Sequence, residues 1–302
     1  MKNILIAGGT GLIGTQLSRL LRDQGYNIRH LSRHADPNAE FPTFAWQPEK
    51  GTYDKKAFEN VDAIINLAGA GIVDKRWTEA RKRIIIESRT AANLMIANFL
   101  QTEKHNIKAY VSASAVGFYS DRGAQLMTEN DVAGKGFLAE STIAWEKAID
   151  EVRQTGIRTV ALRIGIVLST EGGALPQILI PFHLRLAVYF GSGEQYISWI
   201  HIDDVCRMFQ FALENEKTNG IYNAVAPEPM TNFDFTKVIA DVKGGFFWQQ
   251  TAPKFALRLA MGEMADTVLG STNVSSQKIE SQGFTFIFKD AKSALSDLLS
   301  TT

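Results

Sequence analysis

The chain has 302 residues, 45% of them hydrophobic and 21% charged, which is enough apolar material for a large core and excludes disorder as its main character. Lys and Arg total 32 and Asp and Glu total 32, so net charge is zero and the basic footprint of a general nucleic-acid binder is missing. Cys206 is the single cysteine, which rules out an intrachain disulfide and a cysteine-built metal site, and no His-x-x-His or His-Glu-x-x-His spacing occurs. No metal and no nucleic-acid partner are expected.

Residues 4–7 form an apolar run that is too short for a signal h-region and has the character of a buried parallel strand. Leu12, Ile13, Leu17, Leu20 and Leu21 recur at helical spacing, and Gly25 stands where that helix ends. Strands are predicted at 27–31, 61–67, 108–113 and 157–164, with helices at 78–100 and 137–152. This alternation predicts an α/β fold, a Rossmann-type doubly wound parallel sheet. After Gly165 the texture changes. A polar, Gly-rich loop spans 169–174, a helix is expected at 176–187, an alternating strand at 195–201 and a capped helix at 203–213. Two further helices are expected near 254–269 and 290–299. Residues 1–165 therefore read as a dinucleotide-binding domain and 166–302 as a substrate or cap region, with later segments interleaving with the first domain. The longest apolar stretch, 178–190, carries Pro181, His183 and Arg185 and is too short to span a bilayer, so the expectation is a soluble cytoplasmic protein with no membrane partner.

The strongest local motif is Gly8-Gly9-Thr10-Gly11-Leu12-Ile13-Gly14, which follows a strand and opens a helix. Gly8 permits the tight turn, Gly11 lets backbone approach a pyrophosphate, and Gly14 allows close helix packing. The free N–H groups and positive dipole end of that helix then face the phosphates. The residue ending the second strand selects the dinucleotide, and an acidic residue there would bond the ribose 2′-OH of NAD. This chain has Leu31-Ser32-Arg33-His34 instead. Ser32 offers a hydroxyl and Arg33 a planar donor fork for a 2′-phosphate, so the expected cofactor is NADP(H).

At these residues the chain resembles an extended short-chain dehydrogenase/reductase. Asn66-Leu67-Ala68-Gly69 resembles that family's strand-end motif, Ser112-Ala113-Ser114-Ala115 its serine-bearing strand, and Trp199-Ile200-His201 through Val205 its late strand-to-helix junction. Lys75-Arg76-Trp77, Ser88-Arg89, the run from Ser114 to Tyr119, Trp145-Glu146 and Gly191-Ser192-Gly193 narrow the likeness to the nucleoside-diphosphate-sugar epimerase-like branch. The tail from Gly262 through Phe286 resembles that branch's small C-terminal domain, placed at about 250–299. The resemblance implies a Rossmann fold holding NADP, with Leu67, Ala68, Gly69 and Arg89 near the cofactor; it does not imply a substrate.

The larger superfamily uses Ser, Tyr and Lys, with Tyr and Lys one helical turn apart so that the cation lowers the phenol's pKa. Ser114 stands where that serine is expected, but Leu138 and Thr142 fall at the Tyr and Lys positions. Tyr119, five residues beyond Ser114, is the first substitute candidate, so Ser114 and Tyr119 are the expected catalytic pair. Arg163 ends a buried-looking strand and needs an anionic partner, either a carboxylate or the cofactor; it is placed in the cofactor set. Two functions stay open. One is an NADP-dependent oxidoreductase or epimerase acting on a small hydroxyl- or keto-bearing molecule, such as a nucleotide-sugar. The other is a non-catalytic NADP(H)-binding sensor or regulatory module.

Overall fold

The computed structural model describes residues 1–36 and 38–300. Its frame is an eight-stranded sheet built from β1 (Asn3–Ala7), β2 (Asn27–Ser32), β3 (Thr43–Gln47), β4 (Thr52–Tyr53), β5 (Ala63–Asn66), β6 (Ala109–Ala115), β7 (Arg158–Ile164) and, after β8 (Leu186–Phe190) has formed elsewhere, β9 (Gly220–Ala224). The spatial order is β9-β7-β6-β5-β1-β2-β3-β4, parallel throughout except for the β3–β4 pair. The short apolar strands β1 and β5 lie in the middle and bury almost every residue, as strands covered on both faces must.

Helix α1 (Leu12–Asp23) joins β1 to β2, whereas α2 (Glu79–Thr102) joins β5 to β6 on the other side of β1. Right-handed crossovers running in opposite directions place these helices on opposite faces of the sheet. α2 packs against α3 (Phe137–Arg153), and α1 packs against α5 (Ile202–Glu214), with α4 (Ala174–Leu179) lying between α3 and α5 in the chain. The reversal of strand order between β1 and β5 opens a crevice at their carboxyl ends, where sheets of this type bind ligands.

Beyond Gly165 the chain does not form a separate globule. β9 returns to the main sheet, with Gly220 opposite Val160 and Ala224 opposite Ile164. Ile166–Leu168 pairs with Trp199–His201, and β8 pairs in parallel with β10 (Trp248–Ala252). Helix α6 (Asn232–Lys243) carries the C-terminal α8 (Ala291–Ser300), while α7 (Lys254–Met261) buries none of its residues. No helix among the described residues is long and apolar enough to cross a membrane.

Three predicted elements differ from the structure. The helix expected over 176–187 is cut to α4, a 3-10 turn at Pro181–Leu184 and the strand β8, because Pro181 offers no N–H and Arg185 takes a left-handed φ of 59°. The strand over 195–201 is split at Ser198, whose hydroxyl bonds Thr272 O and Val274 N. The helix over 254–269 breaks at Gly262, with φ 62°.

Candidate functional site

The glycine loop is shaped by close packing under the crevice. Gly8 has φ +76°, and a Cβ there would stand 2.8 Å from the Leu67 carbonyl carbon. A Cβ on Gly14 would run into the backbone of Gly8 and Gly9, so α1 starts directly against the loop. Gly9 lies over the buried His30 ring, which Ser18 Oγ holds at 2.7 Å. Burial pushes the His30 imidazole down to about 4, so the ring is a neutral floor for the loop. Gly11 has a different role: a Cβ there would meet only Gly8 O, at 3.4 Å. That open space is where a ligand's phosphates can approach the backbone.

Gly11 caps α1 without a side-chain bond, and no acidic residue stands in the helix's first turn. The N–H groups of Leu12, Ile13 and Gly14 therefore form an anion-seeking helix start. The Leu12 side chain lies against Gly173, near enough that a Cβ there would meet it at 3.3 Å, and this closes the loop from the side of the 170 segment. Ile13 O accepts a weak bond from Cys206 Sγ at 3.8 Å, which ties the same turn to α5.

Gly8, Thr10, Gly11, Ser32, Arg33, Leu67, Ala68 and Gly69 line one cavity of about 490 Å³. They lie at the carboxyl ends of β1, β2 and β5, which register places side by side: Ala7 opposite Leu31, and Ala7 opposite Asn66. Asn66 sets the turn at Leu67–Gly69. Its Oδ1 accepts from Ala68 N at 3.0 Å, and its Nδ2 donates to the buried Tyr110 hydroxyl, which in turn donates to Asn93. Trp46, Asp74 and Arg81 also line the cavity, and none of them was evident in the sequence. Trp46 belongs to β3, whose alternation was too short to stand out, and Arg81 is one of many charges at the start of a long helix.

Arg89 is buried at 7% exposure beside Gly69, with its guanidinium 5.0 Å from the Trp145 ring centroid. Its Nη1 donates to Ile85 O, and among the described residues no carboxylate forms an ion pair with it. Burial, reinforced by Arg81, pulls it down to about 10.

The remaining expected site residues lie elsewhere. Of the two anionic partners open to Arg163, the structure supplies a carboxylate: Arg163 lies outside the cavity lining and forms a two-pronged pair with Glu146, Nε to Oε1 and Nη2 to Oε2, both at 2.7 Å. Its guanidinium carbon stands 3.5 Å from the Phe118 ring centroid, so this buried cation is balanced by a carboxylate, as burial requires. Ser114 donates to Glu146 Oε1 at 2.6 Å and is 2% exposed. The Tyr119 phenol does not reach a site mouth. It is fully buried, accepts from Arg163 Nη1 at 2.8 Å and donates to Asn223 Oδ1 at 2.7 Å. Burial pushes it up to about 12 even with Arg163 acting against that shift, so its hydroxyl is a weaker acid than a free phenol and still less of it is ionised at neutral pH. Leu138 and Thr142 face Gly117 just beyond β6, and the Thr142 hydroxyl donates to Leu138 O. The end of β6 thus has a serine whose proton is held by Glu146, a carboxylate on α3, with Leu138 and Thr142 standing where a tyrosine and a lysine would be needed.

A second cavity, of about 630 Å³, opens between the starts of α2 and α3 and the Glu263–Asp266 turn. Lys82, Arg83 and Ile86 line it, whereas Arg81, Ile84 and Ser88 line the first cavity, so α2 separates the two.

The model of the NAD dependent epimerase/dehydratase family matches residues 4–224. The chain belongs to that family. Residues 252–298 match a domain of unknown function, DUF1731. Family relatives include the epimerase family protein YfhF of Bacillus subtilis, 34% identical over 299 residues and covering 98% of both chains. The epimerase family protein Mb2239 of Mycobacterium bovis is 35% identical over 288 residues, 94% of this chain and 93% of its own. Among solved structures, human epimerase family protein SDR39U1, crystallised with NADPH, superposes with a TM-score of 0.89 at 28% identity, covering 99% of this chain and all of that one. A nucleoside-diphosphate sugar epimerase from Corynebacterium glutamicum gives 0.80 at 29% identity, covering 99% of this chain and 58% of that one.

Proposed function

We propose that this protein binds NADP(H) in the crevice over β1, β2 and β5. The observation that carries this is the uncapped, acid-free start of α1 above a glycine-lined cavity that also holds Ser32 and Arg33 and has no carboxylate at the end of β2. The structural likeness to SDR39U1 solved with NADPH supports it. Gly8, Thr10, Gly11 and the N–H groups of Leu12, Ile13 and Gly14 would hold the pyrophosphate. Ser32 and Arg33 would hold the 2′-phosphate, and Leu67, Ala68 and Gly69 would border the path toward β6. The cofactor itself supplies hydride chemistry when bound; the protein's share is to bind and orient it. NADPH titrated against tryptophan emission tests this, because Trp46 lines the cavity. A saturable change is expected, and its absence in the folded protein sinks the reading.

The state of Ser114 and Tyr119 favours the second of the two functions, an NADP(H)-binding sensor or regulatory module, over an oxidoreductase or epimerase on a small hydroxyl or keto substrate. Hydride transfer to a carbonyl needs a proton placed on the same oxygen. Ser114 already donates to Glu146, Thr142 to Leu138 O and Tyr119 to Asn223. Bound NADPH should keep its absorbance in the presence of aldehydes, ketones and keto-sugars. Steady turnover that Ser114→Ala abolishes would establish the enzyme instead.

A further inference from the structure

Arg89 and Arg81 present a chemical demand that the protein itself does not meet. Arg89 is buried at 7% exposure on α2, and the described residues include no carboxylate paired with it. Arg81 lines the cofactor cavity two turns earlier on the same helix. Its Nη2 donates to Gly71 O at 2.5 Å, yet its Nε is buried without a partner. Its carboxylate partner among the described residues, Asp74, lies at 3.5 Å with 61% of its side chain exposed, a loose pair that solvent screens. The Trp145 indole beneath Arg89 also has a buried Nε1–H with no acceptor. Two like charges close enough to depress Arg89 are costly without an anion between or beside them. Gly69 lines the cavity without a side chain, and the Arg89 guanidinium packs directly behind it, 3.2 Å from where a Cβ would stand. Ser88 Oγ meanwhile accepts from Ala70 N at 3.0 Å and ties the loop to α2.

We infer that Arg81 and Arg89 form a phosphate subsite on the β5 side of the groove, distinct from the start of α1 and from Ser32–Arg33. Two buried or half-buried forks are suited to a phosphate, which accepts several N–H bonds in fixed geometry. The phosphate has two sources, the nicotinamide-side phosphate of the cofactor or the anionic end of a second ligand, and the subsite extends the cofactor reading without being required by it. When the phosphate enters, Arg81 Nε gains an acceptor and Asp74 is released to solvent.

The test compares wild type with Arg81→Gln and Arg89→Gln, using NADP+, 2′,5′-ADP and inorganic phosphate as probes and affinity as the readout. Arg81→Gln matters because the half-buried Arg81 can be changed with little risk to folding, whereas Arg89 sits in the α2–α3 packing. NADP+ binding by wild type establishes the cofactor reading on its own. If the subsite holds the cofactor, both variants weaken NADP+ by about 10- to 100-fold and leave 2′,5′-ADP unchanged, since that fragment lacks the nicotinamide-side phosphate. If it holds a second ligand, NADP+ affinity is unchanged, but thermal protection of the NADP+-saturated protein by inorganic phosphate, present in wild type, is lost in both variants. Variants that match wild type with all three probes overturn the subsite while leaving the cofactor reading in place.

Discussion

The Ser114–Glu146–Arg163 network yields a prediction that separates support of the fold from catalysis. Glu146 Oε1 accepts from both Ser114 Oγ and Arg163 Nε, and Arg163 also donates to Oε2 and to Tyr119. The pair is deep: the side chains of Arg163 and Glu146 are 2% and 10% exposed. Glu146→Ala would leave the Arg163 cation buried and unpaired, a loss of about 3–5 kcal/mol. Ser114→Ala would remove one bond to a charged acceptor while the ion pair persists, and it should cost about 1.5 kcal/mol, the low end for such bonds. Replacing both charges, as in Glu146→Leu with Arg163→Met, should cost less than Glu146→Ala alone, because neither partner is then stranded. Urea unfolding followed by far-UV circular dichroism measures all three, with the slope checked for constancy so that midpoint shifts report stability. NADPH affinity, measured in parallel, should stay within about twofold of wild type for Ser114→Ala, since Ser114 lies outside the cofactor cavity. The argument fails if Glu146→Ala is nearly neutral, or if Ser114→Ala keeps full stability and loses NADPH binding.

Other outcomes follow from the same geometry. His30 has a folded pKa of about 4 against 6.5 unfolded, so between those values the unfolded chain binds the extra proton. Its contribution to stability is complete above pH 6.5 and is lost as pH falls toward 4, at no more than about 1.4 kcal/mol per pH unit; His30→Gln should flatten that slope in urea midpoints. Gly14→Ala forces its Cβ into the Gly8–Gly9 backbone, so calorimetry should show a loss of about 1–3 kcal/mol together with weakened NADPH binding. A chain ending at residue 165 lacks β9 and α5, which exposes the edge of β7 and one face of α1, and should be degraded by trypsin at concentrations the full chain resists. A protease-resistant fragment of that length would show that the sheet does not depend on the later segments.

Much of the fold was legible because its signals are local. The apolar run at Ile4–Ala7, the spaced leucines after Gly11 and the turn glycines each constrain backbone within a few residues. β9 was not legible, since nothing in Gly220–Ala224 announces a return to the sheet beside β7 sixty residues earlier. The sharing of one cavity by Gly8, Thr10, Gly11, Ser32 and Arg33 could be anticipated, because the glycine turn and the end of the second strand are marked locally in the sequence. The partners of Arg163 could not. The sequence showed a buried cation needing an anion, and only packing showed the anion to be Glu146 rather than a phosphate. Tyr119 misled for the same reason: proximity to Ser114 along the chain does not determine which way a side chain points after a 3-10 turn, here Val116–Phe118.

The most direct test of the central claim is the ratio of the dissociation constants for NADPH and NADH in the wild type and in Arg33→Ala. Two charge-assisted contacts from Ser32 and Arg33 to a 2′-phosphate should favour NADPH by about 10- to 150-fold, which corresponds to about 1.5–3 kcal/mol. Arg33→Ala should remove most of that preference and leave NADH affinity unchanged. Equal affinity of the wild type for the two cofactors, or a preference that survives Arg33→Ala, would contradict it.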